Sequence, residues 1–261
     1  MKPLAIIPVY NECDILPAVL RHLAEQGCEC YVLDNWSTDG SELAIPPWMG
    51  WERWPSTRPS EYDWTGILTR IEEIALERGQ GRWVMLHDAD EIRRGPDGLS
   101  LATALARITD LAAPDYNTVG FTVRTYAPVD NSWRPGGDPE AHFRYYKPDT
   151  IDSHLSHVKA WFQGSERVNL HSTGGHEVQF TGRRIYPEPF LLKHYPIRGQ
   201  SHGERKVLAE RFPRYLESER AWQWHVQYND YVSQPKPNFL HAPSELIEDQ
   251  VDYHSNAIPL S

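Results

Sequence analysis

Three short apolar runs, Leu4–Val9, Cys30–Leu33 and Arg82–Leu86, each stop at polar or acidic residues, and stretches of helical periodicity separate them. Runs of this length without alternation fit strands that are covered on both faces of a parallel sheet. Between the first two, Asp14–Gln26 puts Ile15, Leu16, Val19, Leu20 and Leu23 on one stripe, with Gly27 as a stop. A second helix is expected over Trp64–Arg78, carrying Ile67, Leu68, Ile71, Ile74 and Ala75 inward, and a third over Leu99–Leu111. Val119–Tyr126 reads as a further strand. Strand–helix–strand units close right-handed and build open sheets. The expected class is therefore α/β: an open, mostly parallel mixed sheet flanked by helices, Rossmann-like, with a smaller β-rich part.

The second half reads differently. Arg124–Gly182 has short β-like pieces, many aromatic residues and many histidines; Glu188–His194 reads as a strand and Glu204–Glu219 as a helix. Trp48–Pro59 is expected to be irregular, and the polar tail after Tyr231 irregular or loosely docked. Lys plus Arg number 26 against 36 Asp plus Glu, a net charge of −10, which disfavours a general nucleic-acid binder. Three cysteines cannot build a disulfide framework, and Cys28 and Cys30 lack a second pair for a zinc site. No stretch has the order of a signal peptide, and none approaches the ~18 apolar residues of a membrane span. The expectation is a cytoplasmic protein without an integral membrane segment, a peripheral place at the inner membrane face staying open. Ten Trp and 13 Tyr hint at flat apolar surfaces for sugars or bases, with Trp133, Tyr145, Tyr146 and Trp161 as candidates.

Ligands of open α/β sheets sit outside the carboxyl ends of the strands. Those ends carry Pro8-Val9-Tyr10-Asn11-Glu12, then Asp34-Asn35-Trp36-Ser37, then His87-Asp88-Ala89-Asp90-Glu91, so polar and acidic residues gather on one rim. If Asp88-Ala89-Asp90 is extended, both carboxylates point to one side, roughly 6–7 Å apart. Two such charges repel unless a cation joins them, and carboxylates suit Mg²⁺ or Mn²⁺, which bridge to substrate phosphates. A solvated acidic turn is the plain alternative. Asp34 can accept hydrogen bonds from a base or ribose, or simply hold an Asx turn. No Gly-rich phosphate loop is present, which disfavours nicotinamide and P-loop chemistry.

Ile6-Ile7-Pro8-Val9-Tyr10-Asn11-Glu12, Val32-Leu33-Asp34-Asn35 with Ser37-Thr38-Asp39-Gly40-Ser41, and Trp83-Val84-Met85-Leu86-His87-Asp88-Ala89-Asp90-Glu91 resemble, in order and spacing, the family-two glycosyltransferases of GT-A fold. Lys193-His194-Tyr195, with Lys206 downstream, is similar to the C-terminal part of a bacterial subset. The resemblance implies a nucleotide-sugar donor, Mn²⁺ or Mg²⁺, inversion at the anomeric carbon, and a saccharide, lipid-linked or protein acceptor. By motif, Pro8, Tyr10, Asn11 and Glu12 would line the nucleotide site, with Asp34 and Asn35 at the base. Asp88 and Asp90 would address the ribose and the metal-bound diphosphate. Arg70 and Lys206 would face the diphosphate, and His194 would join Asp88 and Asp90 as a metal ligand, with His176 as rival. The family's acidic pair in the acceptor half is missing here; by position, Asp138 and Glu140 stand in as catalytic bases. The implied division is 1–125 for the nucleotide-sugar half, 126–230 for the acceptor side and 231–261 for a tail. Sugar-phosphate nucleotidyl transfer and non-catalytic carbohydrate binding are the alternatives on such a fold.

Overall fold

β1 (Leu4–Val9) is buried because it has a parallel neighbour on each side: β2 (Glu29–Asp34) and β4 (Trp83–Leu86). Its side chains alternate between two apolar layers. Ala5, Ile7 and Val9 enter one and Leu4 and Ile6 the other. The first layer is closed by α1 (Leu16–Glu25) through Val19, Leu20 and Leu23, and by α3 (Leu101–Leu111) through Leu101, Leu105 and Ile108. The second is closed by α2 (Trp64–Arg78) through Ile67, Leu68, Ile71 and Ile74. Asp63 caps α2, its side chain accepting the Gly66 N–H at 2.8 Å. The computed structural model describes residues 1–54, 61–111, 115–148, 156–222 and 228–250. The last part of the Trp48–Pro59 segment and the end of the tail lie outside the described residues.

The remaining strands are β3 (Gly50–Arg53), β5 (Glu91–Arg94), β6 (Thr118–Thr125), β7 (Tyr145–Tyr146), β8 (Ser156–Phe162), β9 (Ile185–His194) and β10 (Ile247–Glu248). Among the described residues eight of the ten strands form one mixed sheet in the order β3-β2-β1-β4-β8-β6-β9-β5, and β7 pairs with β10 apart from it. β8 is antiparallel to β4 and β6, β5 is antiparallel to β9, and β6 runs parallel to β9. This is the α/β, GT-A-like sheet expected. Chain order reverses beside β1, which has β2 on one side and β4 on the other, so the switch point lies at the β1 and β4 carboxyl ends.

Two irregularities shape the second half. Val119 pairs with Ala160 and Phe121 with His157, so three steps on β8 match two on β6 and one residue bulges near Val158 and Lys159. On β9 the same two steps span Tyr186 to Phe190, across Pro187 and Pro189, which have no N–H to give a ladder.

Several expectations need correction. Gly50–Arg53 is a strand, although its surroundings read as irregular, and β5 follows the acidic motif at once. The helix expected over Glu204–Glu219 is instead a single turn, α4 (Gln200–Gly203), running into a π-helix, Glu204–Arg211. Pro213 ends that run, since it lacks the N–H and its ring clashes with a preceding carbonyl; a separate turn follows at Glu217–Ala221. The described part of the tail is docked rather than loose. Phe239 is buried against Val207 and Ile197, and Asp249 bonds Lys193, Arg124 and Tyr126. Trp161 is fully buried in the core, so it offers no stacking face to a sugar.

Candidate active site at the strand ends

The first strand end is held open by unusual backbone. Asn11 (φ 54°) and Trp36 (φ 63°) both adopt the left-handed region, rare for a bulky residue such as tryptophan. Side chains fix these turns. The Asn11 N–H donates to Ser37 Oγ (3.0 Å), the Thr38 N–H to Asn11 Oδ1 (2.8 Å), and Trp36 Nε1 to the Trp54 carbonyl (2.9 Å). Asp34 holds its own loop: Oδ1 accepts the Ser37 N–H at 3.2 Å and Oδ2 pairs with Arg53 Nε at 3.1 Å. Next to it, Asn35 is 2 % exposed, yet neither its amide nitrogen nor its amide oxygen has a hydrogen-bond partner. A buried unpaired amide costs about 1–3 kcal/mol per group, and both polar atoms of this side chain are unmet.

The acidic motif does not run extended. Ala89 and Asp90 form a turn, so Asp88 and Asp90 diverge and are met by different lysines. Lys159 Nζ, aimed by the bulge in β8, bridges Asp88 Oδ2 (2.7 Å) and Glu91 Oε1 (3.2 Å). Lys206 Nζ bridges Asp90 Oδ2 (2.8 Å) and Glu12 Oε1 (2.7 Å). Arg198 Nη2 reaches Glu12 Oε2 (2.5 Å) and Asp14 Oδ1 (2.6 Å), and its Nε reaches Asp14 Oδ2 (2.7 Å). Behind them Arg93 pairs with Glu91 at 2.6 Å. Burial alone would raise the Asp90 pKa; Lys206, His194 and Arg198 prevail and hold it well below the ordinary carboxylate value. Burial likewise works against charge on Lys159, but Asp88 and Glu91 prevail and its pKa is raised.

The expected metal set is therefore brought together only in part. His194 Nε2 lies 3.5 Å from Asp90 Oδ1, close enough for one ion to take both. Asp88 is turned to Lys159 and does not complete a convergent trio with them. Among the described residues one such trio exists, Glu12, Asp14 and His202, with ligand atoms within 4.8 Å of one another. The Arg198 guanidinium already bonds both of its carboxylates, and the Arg198 N–H donates to His202 Nδ1 at 3.2 Å. Of the expected metal set, Asp90 and His194 lie together, with Lys206 also on Asp90, and the trio is held by Arg198.

Other expected residues lie elsewhere. Arg70 is committed to Glu52 (2.6 Å), Glu73 (3.1 Å) and Glu77 (2.9 Å) and makes no bond to the rim. Asp138 caps the short Pro139–His142 helix through the Glu140 and Ala141 N–H groups. Glu140 pairs with Arg94 and, at 3.3 Å, with Lys193. Neither bonds the Glu12–Asp90 network. His176 is exposed and its ring faces that of His157 at 4.7 Å. Burial pushes the Cys28 and Cys30 thiols up to about 12, which removes them from thiolate chemistry. Sequence reasoning missed Lys159, Arg198, Asp14 and Arg211. Only Lys159 left a mark: one lysine inside the apolar run Val158–Phe162.

Among the described residues no helix is long and apolar enough to cross a membrane. Solved structures similar to this one include two with TM-scores below 0.5. One is a glucosyl-3-phosphoglycerate synthase from Mycobacterium tuberculosis in complex with Mn²⁺, uridine diphosphate and phosphoglyceric acid (18 % identity, TM-score 0.31, covering 48 % of this chain and 43 % of that one). The other is a 4-diphosphocytidyl-2C-methyl-D-erythritol synthase (15 %, TM-score 0.35, covering 74 % of this chain and 88 % of that one). The chain thus spans less than half the length of the first. No curated protein matches. The model of glycosyl transferase family 2 matches residues 4–157, a stretch that holds β1, β2 and the acidic motif, and the chain belongs to that family.

Proposed function

We propose that the protein transfers a sugar from a nucleotide-sugar donor to a hydroxyl acceptor, with inversion at the anomeric carbon. The observation that carries this reading is the buried, unpartnered Asn35 amide beside Asp34, at the end of β2, the strand next to the switch point of a family 2 sheet. An amide offers two donors and an acceptor, the complement of a nucleobase edge. The donor's nucleoside is assigned to Pro8, Tyr10, Asn11, Asp34 and Asn35, its ribose to Asp88, and its diphosphate to the rim formed by Glu12, Asp90 and Lys206. Arg70 is left out because three carboxylates hold its guanidinium.

Asp90 and His194 would hold Mn²⁺ or Mg²⁺, which supplies neutralising charge for the departing diphosphate. This chain's own groups do the rest. Lys206 counters phosphate charge, and the buried ion pairs keep Asp90 ionised. Asp138 takes the proton of the acceptor hydroxyl as that oxygen bonds the anomeric carbon; the bond from that carbon to the diphosphate oxygen breaks on the opposite face. Asp138 is preferred to Glu140 because Glu140 is engaged by Arg94 and Lys193, whereas Asp138 is exposed. Its loop is tied to the network: the Gly136 N–H donates to the Asp14 carbonyl (3.2 Å) and Trp133 Nε1 to Asp14 Oδ2 (2.9 Å).

Thermal melts with UDP, GDP, CMP and dTDP in the presence of Mn²⁺ test the donor site. One nucleotide is expected to raise the melting temperature selectively, a ligand at about 100 times its Kd adding ~2.7 kcal/mol. No response to any of them contradicts the reading.

A further inference from the structure

Arg211 ends the π-helix and was not among the residues expected at the site. Its guanidinium lies 3.8 Å from Glu12 Oε1, the oxygen that Lys206 Nζ contacts at 2.7 Å. That shared target follows from the helix type. An α-helix turns 100° per residue, so residues five apart point about 140° away from each other. In a π-helix, closed by i→i+5 bonds, the two directions come much closer together, and Lys206 and Arg211 are five apart. The π-turn is therefore what puts both cations over one carboxylate. A run of this length is costly and rare, and such turns gather at functional sites.

Around Glu12 three cations, Arg198, Lys206 and Arg211, face three carboxylates, Glu12, Asp14 and Asp90, but they are not equally engaged. The two oxygens of Glu12 already accept short bonds from Arg198 and Lys206, so Arg211 meets it at a distance longer than a hydrogen bond. Aromatic faces provide much of what surrounds this mostly buried guanidinium. It stands 4.6 Å over the Tyr62 ring and 5.7 Å from the Tyr10 ring, and Tyr62 shares a hydrogen bond with it. Arg214 stands over the same Tyr10 ring at 3.8 Å. Tyr10 belongs to the first strand end, where the nucleoside has been placed. An anion entering between Tyr10 and Lys206 would meet Lys206, which Glu12 and Asp90 hold, and Arg211, whose contact with Glu12 is longer than a hydrogen bond.

We propose that Lys206 and Arg211 form a two-pronged clamp for the diphosphate of the donor, with Arg211 a ligand-binding residue set in register by the π-helix. The proposal deepens the donor reading above and rests on it. A guanidinium presents paired donors to phosphate oxygens, which a lysine cannot imitate.

The test is calorimetric titration of the full chain and of the variants Arg211→Gln and Arg211→Lys. Each is titrated with the nucleotide selected from the panel above and with its parent nucleoside. Loss of a charged hydrogen bond predicts that Arg211→Gln weakens nucleotide binding about 10- to 100-fold while nucleoside affinity is unchanged, with partial recovery in Arg211→Lys. Equal nucleotide affinity in wild type and Arg211→Gln overturns the clamp and leaves the donor site standing. Equal losses for nucleotide and nucleoside also overturn it, since the residue would then only support the fold. Should Arg211→Gln not fold, the nucleotide-to-nucleoside ratio of Arg211→Lys against wild type decides on the same criterion. A wild-type protein that binds none of the nucleotides overturns the donor reading and the clamp together.

Discussion

Lys159 stands alone among apolar neighbours on β8, and its partners explain why it is there. Asp88 and Glu91 share its ammonium, and a bulge turns it toward them. Lys159→Met would leave the buried Glu91 and the partly exposed Asp88 without that charge, a loss on the order of 3 kcal/mol by chemical denaturation. A cost below about 1 kcal/mol would show that solvent already serves these groups. Glu91 gives a pH signature. Burial would raise its pKa, but Arg93 and Lys159 prevail and bring it from 4.5 to about 2. A depressed carboxyl stabilises the fold above its unfolded value, and that share is lost as pH falls through the folded one. Stability should therefore drop between about pH 4.5 and pH 2 by up to roughly 3 kcal/mol on account of this group. In Glu91→Gln, whose stability at neutral pH is lower, that part of the acid slope should vanish. The residues at the ends of β1, β2 and β4 were legible because short apolar runs end at them. Their partners were not: Lys159, Arg198 and Arg211 come from distant segments, and nothing local marks which carboxylate a cation will meet.

Elements with one clean period were legible and the others were not. α1, α2 and α3 fall where their apolar stripes put them, apart from a residue or two at the ends. β5 escaped notice because Glu91-Ile92-Arg93-Arg94 is mostly charged: only Ile92 joins the apolar core, and the others are held by ion pairs. The π-helix has no periodicity of its own in the sequence; helical residues there point to α by default. α2 also carries a buried acid that ties it to the segment beyond β8. Glu72 accepts the Leu170 N–H (2.7 Å) and Arg167 Nε (2.8 Å). Glu72→Ala should cost about 1–3 kcal/mol in denaturant melts, through the stranded backbone N–H more than through the half-exposed arginine. An unchanged midpoint would mean that another group takes over the Leu170 N–H.

At the scale of the molecule, segments remote in sequence complete the rim that β1, β2 and β4 begin. β9 brings His194, the π-helix brings Lys206 and Arg211, and the tail supports both. Phe239 lies so close to Gly203 that a Cβ there would stand 2.3 Å from the Phe239 ring. Gly203→Ala is expected to displace the tail and to lower the melting temperature, reported by faster cleavage of the tail in limited proteolysis; unchanged cleavage would show that the ring moves aside. The open sheet was legible from the alternation of strands and helices, whereas the docking of the tail was not, since it rests on one buried aromatic, one aspartate, a two-residue strand pairing and scattered backbone bonds that leave no period in the sequence. The central claim is that the acidic rim, with Asp90 at its middle, handles the diphosphate of a nucleotide-sugar donor. It is tested most directly by Mn²⁺-dependent release of nucleoside diphosphate from a nucleotide sugar by wild type and Asp90→Asn, with melting temperature followed alongside. The account predicts a loss of at least about a hundredfold in a variant that stays folded. Near-native release by folded Asp90→Asn, with Mn²⁺ still required, would contradict it.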